Sequence, residues 1–340
     1  AGKVWGVRLR ILVVMGWSVS EGDGSRDEEV PPEACAALIK AVVHTGPGDD
    51  VPAGFSALTT GFANYVWSTA WQNRDLVVKC FTDLVLLRVE RHAVGSVDVL
   101  AGQCGVGPKV HSCGPSGMVM DYLPGRTLEE ADVHSGNQRL LEAIAERLSE
   151  LHRQPAPKST KGEPMLWRTM DKMLLVAESC PEHLPTEIPS LKDIRSEVAL
   201  ARATLEARAP GIVCGHGDLK PSNVLEHRGD VRLIDFELGG PNYRGFDWMK
   251  LFRRPEGFQE EDLRHFLASY AACGEEPCSL QQLDSLVEET KAFEPLTWLE
   301  AFIFFLALIP YKPAELKKWQ GLAQHRWQMY QQTRHKLITS

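Results

Sequence analysis

The chain has 340 residues, 44% of them hydrophobic, and its 37 basic and 45 acidic side chains give a net charge of -8. That length and apolar content suit two lobes, while the acidic balance excludes a broad cationic surface for nucleic acid and a polybasic membrane signal. Eight cysteines are scattered without a C-x-x-C pair, so reduced thiols in a cytoplasmic setting are expected rather than a disulfide scaffold or a zinc cluster.

In chain order, residues 1–30 read as a leader, a poorly ordered segment or a piece of a longer precursor, with a removed targeting signal around the apolar run Ile11 to Trp17 as the alternative. After an acidic stretch near Glu21 to Glu29, Pro32 to Val43 has the apolar content of a short helix. Strands are expected around Tyr65 to Ala70 and from Asp75 to Phe81, with Gln72-Asn73-Arg74 as the turn between them. Ahead of this hairpin, Leu58 to Asn64 contains one glycine. Such a turn lets backbone N–H groups approach phosphate oxygens, which makes Thr60, Gly61 and Asn64 candidates for nucleotide contact, with Lys79 on the next strand as a point charge.

The apolar segment Leu84 to Ala101 is expected to include the helix carrying the acidic partner of Lys79, with Glu90 preferred and Asp98 as the alternative. Pro108-Lys109-Val110 and Met118 to Leu123 read as strands separated by a turn at Cys113 to Gly117. The second ends at Pro124-Gly125 like a hinge, where backbone groups of Asp121, Tyr122 and Leu123 would read an adenine edge. Beyond it, Leu140, Leu141, Ile144, Ala145, Leu148 and Leu151 form one face of a helix that ends at His152, a residue read as structural. Ile194 to Ala209 repeats that amphipathic pattern, and Gly211 to Cys214 is a strand leading into the next loop.

That loop, His216-Gly217-Asp218-Leu219-Lys220-Pro221-Ser222-Asn223, has the layout of a phosphoryl-transfer centre when taken with Leu233-Ile234-Asp235-Phe236-Glu237. Asp218 would orient or deprotonate an attacking hydroxyl, with His216 beside it as a second catalytic candidate. Asn223 and Asp235 would hold magnesium against the phosphates of ATP. Two apolar-rich strands, 223–226 and 231–234, joined by a turn at His227 to Asp230, would bring those two ligands together, as a compact octahedron of hard oxygens requires. Taken singly, the same residue types only cap and close loops; the spacing carries the inference. Further helices are expected at Gln259 to Ala272, Leu280 to Lys291, Leu296 to Ile309 and Ala314 to Lys336. The apolar stretch Trp298 to Tyr311 contains Glu300 and Pro310 and reads as a buried helix, so no integral membrane segment is expected.

Over about Thr59 to Leu337 these motifs resemble the choline/ethanolamine kinase family, which shares a protein-kinase-like fold with aminoglycoside phosphotransferases. The block Ile234-Asp235-Phe236-Glu237 running into Asn242-Tyr243-Arg244-Gly245-Phe246-Asp247 is the most specific part, supported by Gly61-Phe62-Ala63-Asn64, Gly107-Pro108-Lys109, Pro124 to Leu128 and Leu151-His152. The resemblance implies an α+β, bilobal fold, with a small antiparallel-sheet lobe over 31–123 and a larger, mainly helical lobe over 124–340. It also implies ATP- and Mg2+-dependent phosphorylation of choline or ethanolamine on the way to phospholipids, with a homodimer left open.

For the acceptor pocket the resemblance points to Lys220, Glu237, Arg254, Trp298 and Phe304, because a quaternary ammonium is held best by aromatic faces beside a carboxylate. The chain departs from the family at several positions. Thr60 stands where another Gly is usual, His92 follows Arg91 where an R-E pair is usual, and Leu238 stands where choline-specific members tend to have Tyr. Lys220 replaces a frequent Gln, and Arg253-Arg254 replace an acidic, aromatic-rich run. Ethanolamine or another small alcohol, a protein substrate, and nucleotide binding without turnover all stay open at this point.

Overall fold

The computed structural model of the chain describes residues 39, 54–59, 64–90, 93–157, 163–274 and 278–339. The expected leader, the acidic stretch, the helix over 32–43 apart from Ile39, Thr60 with Gly61, and the Arg91-His92 pair lie outside those residues.

Among the described residues, an antiparallel sheet of five strands runs in the order β1-β2-β3-β5-β4, comprising β1 (Ser56–Thr59), β2 (Asn64–Trp71), β3 (Arg74–Phe81), β4 (Val110–Gly114) and β5 (Gly117–Asp121). β2 and β3 form the expected hairpin. Its turn residues Gln72 and Asn73 take φ of 48° and 59°, the left-handed pair that a two-residue hairpin loop needs. Because side chains alternate along a strand, β3 sends Leu76, Val78 and Cys80 into an apolar cluster with Ile39, Trp67 and Val119, and Lys79 to the other face.

The segment Leu84 to Ala101, expected to include a helix, holds two, α1 (Asp83–Arg88) and α2 (Ser96–Gln103). α1 ends at extended Val89, and α2 starts from Gly95, whose φ of 77° suits glycine and where a side chain would collide with the Cys113 sulfur. The strand expected from Pro108 begins at Val110, and the turn after it shrinks to two residues between paired Gly114 and Gly117.

The rest is mainly helical. α3 (Glu130–Val133) and α4 (Gln138–His152) are followed by α5 (Met165–Ala177) and α6 (Leu191–Glu206). Asn137 caps α4 by accepting from the Leu140 amide, and the six predicted apolar positions are all buried. Next come β7 (Ile212–Gly215), β8 (Val224–His227), β9 (Asp230–Leu233) and β10 (Gly240–Tyr243). β7 pairs with β10, while β6 (Arg126–Thr127) adds to the β8–β9 hairpin. The chain continues through α7 (Arg244–Phe252), α8 (Glu260–Ala272), α9 (Leu280–Ala292), α10 (Glu294–Tyr311), α11 (Leu316–Thr333) and the short α12 (Lys336–Thr339). α3, α5, α7 and the short α12 are additions to the helices expected from the sequence.

By length and composition the run Leu280–Tyr311 is apolar enough to cross a membrane, yet most of it is buried inside the protein, as expected for a core helix. α10 packs Leu299, Phe302, Ile303 and Leu306 into one cluster with α5 and α11. A second cluster joins α4 and α8 to Cys214, Leu219, Val224, Leu233 and Phe236, and so forms the floor under the loop that carries Asp218.

Replacing Phe302, which is fully buried, by Ala should lower unfolding free energy by about 3–5 kcal/mol. Leu280→Ala, at a side chain 78% exposed, should change it by less than about 0.5 kcal/mol in the same urea titration. Equal effects would mean that α10 is not the core helix described.

Candidate phosphoryl-transfer site

β7 ends at Gly215 and delivers the loop onto a buried carboxylate, Asp247 at the start of α7. Asp247 is fully buried and accepts hydrogen bonds from the His216 amide at 2.7 Å and the Gly217 amide at 2.8 Å, with His152 Nε2 at 3.1 Å. A buried charge is tolerable only when so satisfied. Gly217 has φ of 81°, and any side chain there would collide with the Leu238 carbonyl, so the loop can turn only through glycine.

His216 stands two residues before Asp218, with its ring turned to the backbone. Its Nε2 lies 2.9 Å from the Ile234 carbonyl oxygen, its Nδ1 accepts from the Asp218 amide at 3.4 Å, and its ring lies against Phe236 at 4.7 Å. Both ring nitrogens are committed to backbone, an arrangement that suits a positioning part better than the catalytic one expected.

The β8–β9 hairpin closes at Arg228 and Gly229, with φ of 53° and 86°, and pairs Val224 with Leu233. The Ile234 amide then donates to the Asn223 carbonyl oxygen at 2.9 Å, which draws Asn223 alongside the segment that carries Asp235. Asn223 donates its amide nitrogen to the Asp218 carbonyl oxygen at 2.8 Å, leaving Oδ1 without a donor among the described residues. Asp235 has φ of 67°, a strained conformation outside glycine, and gives one oxygen to Lys79. The remaining oxygens are hard donors of the kind magnesium takes, so this pair fits the metal.

The charges around this centre are closely matched. Lys79 pairs with Asp235 and lies 3.7 Å from Glu237, which also receives Arg88 and the Asn64 side chain. Burial disfavours charge on Lys79, but Asp235, Glu237 and Asp98 overcome it and hold the ammonium above its ordinary range. Asp218 lies between two ammonium groups, Lys250 at 3.0 Å and Lys220 at 3.1 Å, and Lys250 continues to Glu300 at 2.8 Å. Burial would raise the Asp218 carboxyl, yet those two lysines hold it far below the carboxylate range. Asp235 is likewise held low by Lys79 and Lys220 against its burial.

Several expected contacts are redirected. Glu90 pairs with Arg168 on α5, because the helix breaks before it can face Lys79; the buried helical carboxylate whose charge reaches Lys79 is Asp98 on α2. Asn64 is turned into the interior, where its amide nitrogen meets Glu237. Arg254 lies toward Glu256 at 3.7 Å and bears on His134, whereas its neighbour Arg253 is the one whose charge is felt by Asp218. Trp298 is nearly fully buried, with the guanidiniums of Arg253 and Arg326 over its ring at 4.5 and 5.2 Å, so that ring is not open to an ammonium. Phe304 is similarly taken by Arg88, at 5.1 Å. At the end of β5, the Tyr122 amide donates to the Asp75 carbonyl oxygen, and Leu123 follows with its amide free of backbone acceptors among the described residues.

Lys250, Glu300, Arg88, Asp98 and Asp247 were not assigned roles from the sequence, apart from Asp98 as the alternative to Glu90. Of these, only Asp247 stood in a conspicuous motif.

Comparison with known proteins follows the same lines. The family profile described as choline/ethanolamine kinase matches residues 55–331. A curated choline/ethanolamine kinase of Homo sapiens is 27% identical over 267 residues, covering 69% of this chain and 66% of that protein. Over the first curated relatives the match spans 48–66% of their length. Among solved structures, a choline kinase from Cryptosporidium parvum superposes with a TM-score of 0.68 at 16% identity, over 91% of this chain and 96% of the other. An ethanolamine kinase of Plasmodium vivax gives 0.68 at 16%, over 94% and 98%. At those identities the likeness is one of fold, the bilobal protein-kinase-like arrangement.

The depressed Asp218 carboxyl sets a pH signature for stability. Its contribution is complete above the unfolded value of 3.8 and is lost as pH falls toward the lower folded value. The unfolding free-energy difference between the protein and Asp218→Asn should therefore be constant above about pH 5 and shrink below about pH 4. A difference that grows on acidification, in urea titrations at stepped pH, would contradict the lysine clamp.

Proposed function

Because the chain belongs to the choline/ethanolamine kinase family, we propose that it transfers the γ-phosphoryl group of ATP to the hydroxyl of a small amino alcohol. The observation that carries this reading is the convergence of Asp218, Asn223 and Asp235 through one loop and one hairpin, beside Lys79. In this reading the boundary between the two lobes falls at 123/124. The Leu123 amide and the neighbouring carbonyl groups would read the adenine edge there.

Asp218 would hold the acceptor hydroxyl and orient its oxygen toward the γ-phosphorus. Asn223 and Asp235 would hold Mg2+, which when bound neutralises charge on the β- and γ-phosphates. Lys79, now neutralised by Asp235 and Glu237, would exchange part of that pairing for phosphate oxygens. Lys220 stands on Asp218 with Asp235 close enough to affect its charge, a position that suits a phosphoryl group in transit between donor and acceptor. Catalysis would come from positioning and fixed charge, since this chemistry asks little covalent participation of the protein. The product would be a phosphorylated headgroup precursor for phospholipids.

ATP consumption measured across choline, ethanolamine, their methylated intermediates and other small alcohols tests this reading. Asp218→Asn should lower kcat by about 100- to 10,000-fold while the circular dichroism spectrum is unchanged. Asn223→Ala and Asp235→Asn should raise the Mg2+ concentration needed for half-maximal rate. Undiminished turnover by Asp218→Asn would refute the assignment.

A further inference from the structure

Two guanidiniums beside the acceptor side of this centre have no carboxylate in direct ion-pair contact among the described residues. Arg253 follows the end of α7, three positions after Lys250, and Arg326 projects from α11; both lie over Trp298. Trp298 and Glu300 are two positions apart on α10, and Glu300 receives the same Lys250 that holds Asp218. The guanidinium pair thus borders the Asp218–Lys250–Glu300 centre.

Arg253 donates to the Thr297 carbonyl oxygen at 2.6 Å, and Arg326 lies 2.8 Å from the ring nitrogen of His325. No carboxylate among the described residues comes within ion-pair distance of either guanidinium, although the chain pairs most of its other arginines near the centre. The buried Nε of Arg326 has no hydrogen-bond partner among the described residues. Burial pushes both guanidiniums down; the Glu300, Asp218 and Glu130 carboxylates act against it on Arg253 from beyond ion-pair distance, as does Glu130 on Arg326, while Arg326 pushes Arg253 further down. Two like charges held together over one indole, with donors unspent, form a receptor for an anion; forked N–H donors match carboxylate and phosphate oxygens.

We propose that the acceptor is a hydroxyl compound that also carries an anionic group, a carboxylate or a phosphate, bound by Arg253 and Arg326 while its hydroxyl rests on Asp218. This rests on the reading of Asp218 as the residue that receives the acceptor hydroxyl. An amino alcohol with an added acid group satisfies it; a plain quaternary ammonium alcohol does not, because the Trp298 ring is already covered by guanidinium. In the reaction the hydroxyl oxygen forms a bond to the γ-phosphorus, the bond from that phosphorus to the ADP oxygen breaks, and the hydroxyl proton, held toward Asp218 by a hydrogen bond, is released to solvent once the ester has formed.

Binding to the full chain is measured by calorimetry in the presence of Mg2+ and a non-hydrolysable ATP analogue, using ethanolamine, choline, serine, glycerate and glycerol 3-phosphate. Serine differs from ethanolamine by a single carboxylate, and the last two compounds separate carboxylate from phosphate recognition. At least one anionic acceptor should bind tenfold or more tightly than ethanolamine, and Arg253→Gln and Arg326→Gln should each reduce that preference at least fivefold. Ethanolamine or choline binding as tightly as all three anionic compounds would overturn the proposal, as would a preference unchanged in both variants. So would loss of anion binding on saturation with the nucleotide analogue, which would place the guanidiniums in the nucleotide's own site. If a variant fails to fold, the comparison of ligands on the unaltered protein decides alone. Anion selectivity without phosphorylation of any acceptor would sink the kinase reading and, with it, the assignment of the bound anion as an acceptor, whereas phosphorylation without anion selectivity would overturn this proposal alone.

Discussion

Two cations from the sheet half of the molecule, Lys79 on β3 and Arg88 on α1, meet two carboxylates, Asp235 and Glu237, that follow the β8–β9 hairpin. Three of these four side chains are almost entirely buried, and a buried ion left unmatched is far more costly than a matched one. The two halves are therefore tied by charge as well as by packing: Lys79 cannot face the sheet's apolar side, and Asp235 is held in a left-handed conformation it would not choose alone. The position of β3, the direction of α1 and the shape of the turn between Ile234 and Glu237 all answer to this one network.

The helical half repeats the pattern with other residues. Asp247 satisfies the amides of His216 and Gly217 and the ring of His152, and Glu300 satisfies Lys250, which in turn holds Asp218. Each buried polar group in these chains orients the next one closer to the centre. That linkage holds the loop in place with no direct bond, among the described residues, between the Asp218 carboxylate and the five-stranded sheet.

What the sequence made legible was local. The β2–β3 and β8–β9 hairpins follow from alternation and from residues that tolerate left-handed turns, and the faces of α4 and α6 follow from apolar spacing against polar neighbours. α7 escaped because nearly all of it is buried, so its sequence shows no contrast between faces to read, and the first turns of α5 are the same. Glu90 was preferred over Asp98, but α1 ends at an extended Val89 just before it, and it is Asp98, on α2, whose charge reaches Lys79. Lys250 and Glu300 sit in apolar surroundings far apart in sequence, and only tertiary packing shows that each is the other's counterion.

The two lysines on Asp218 also bear on what kind of agent that residue can be. A carboxylate stabilised so strongly as an anion has little appetite for a proton, so on the proposed reading it works as an anchor for the hydroxyl rather than as its abstractor. Deprotonation would then trail the departure of ADP, the order favoured by a loose, metaphosphate-like transition state. The same pair of ammonium groups would meet the incoming negative charge of the phosphoryl group, so that the groups suppressing basicity are those that favour transfer.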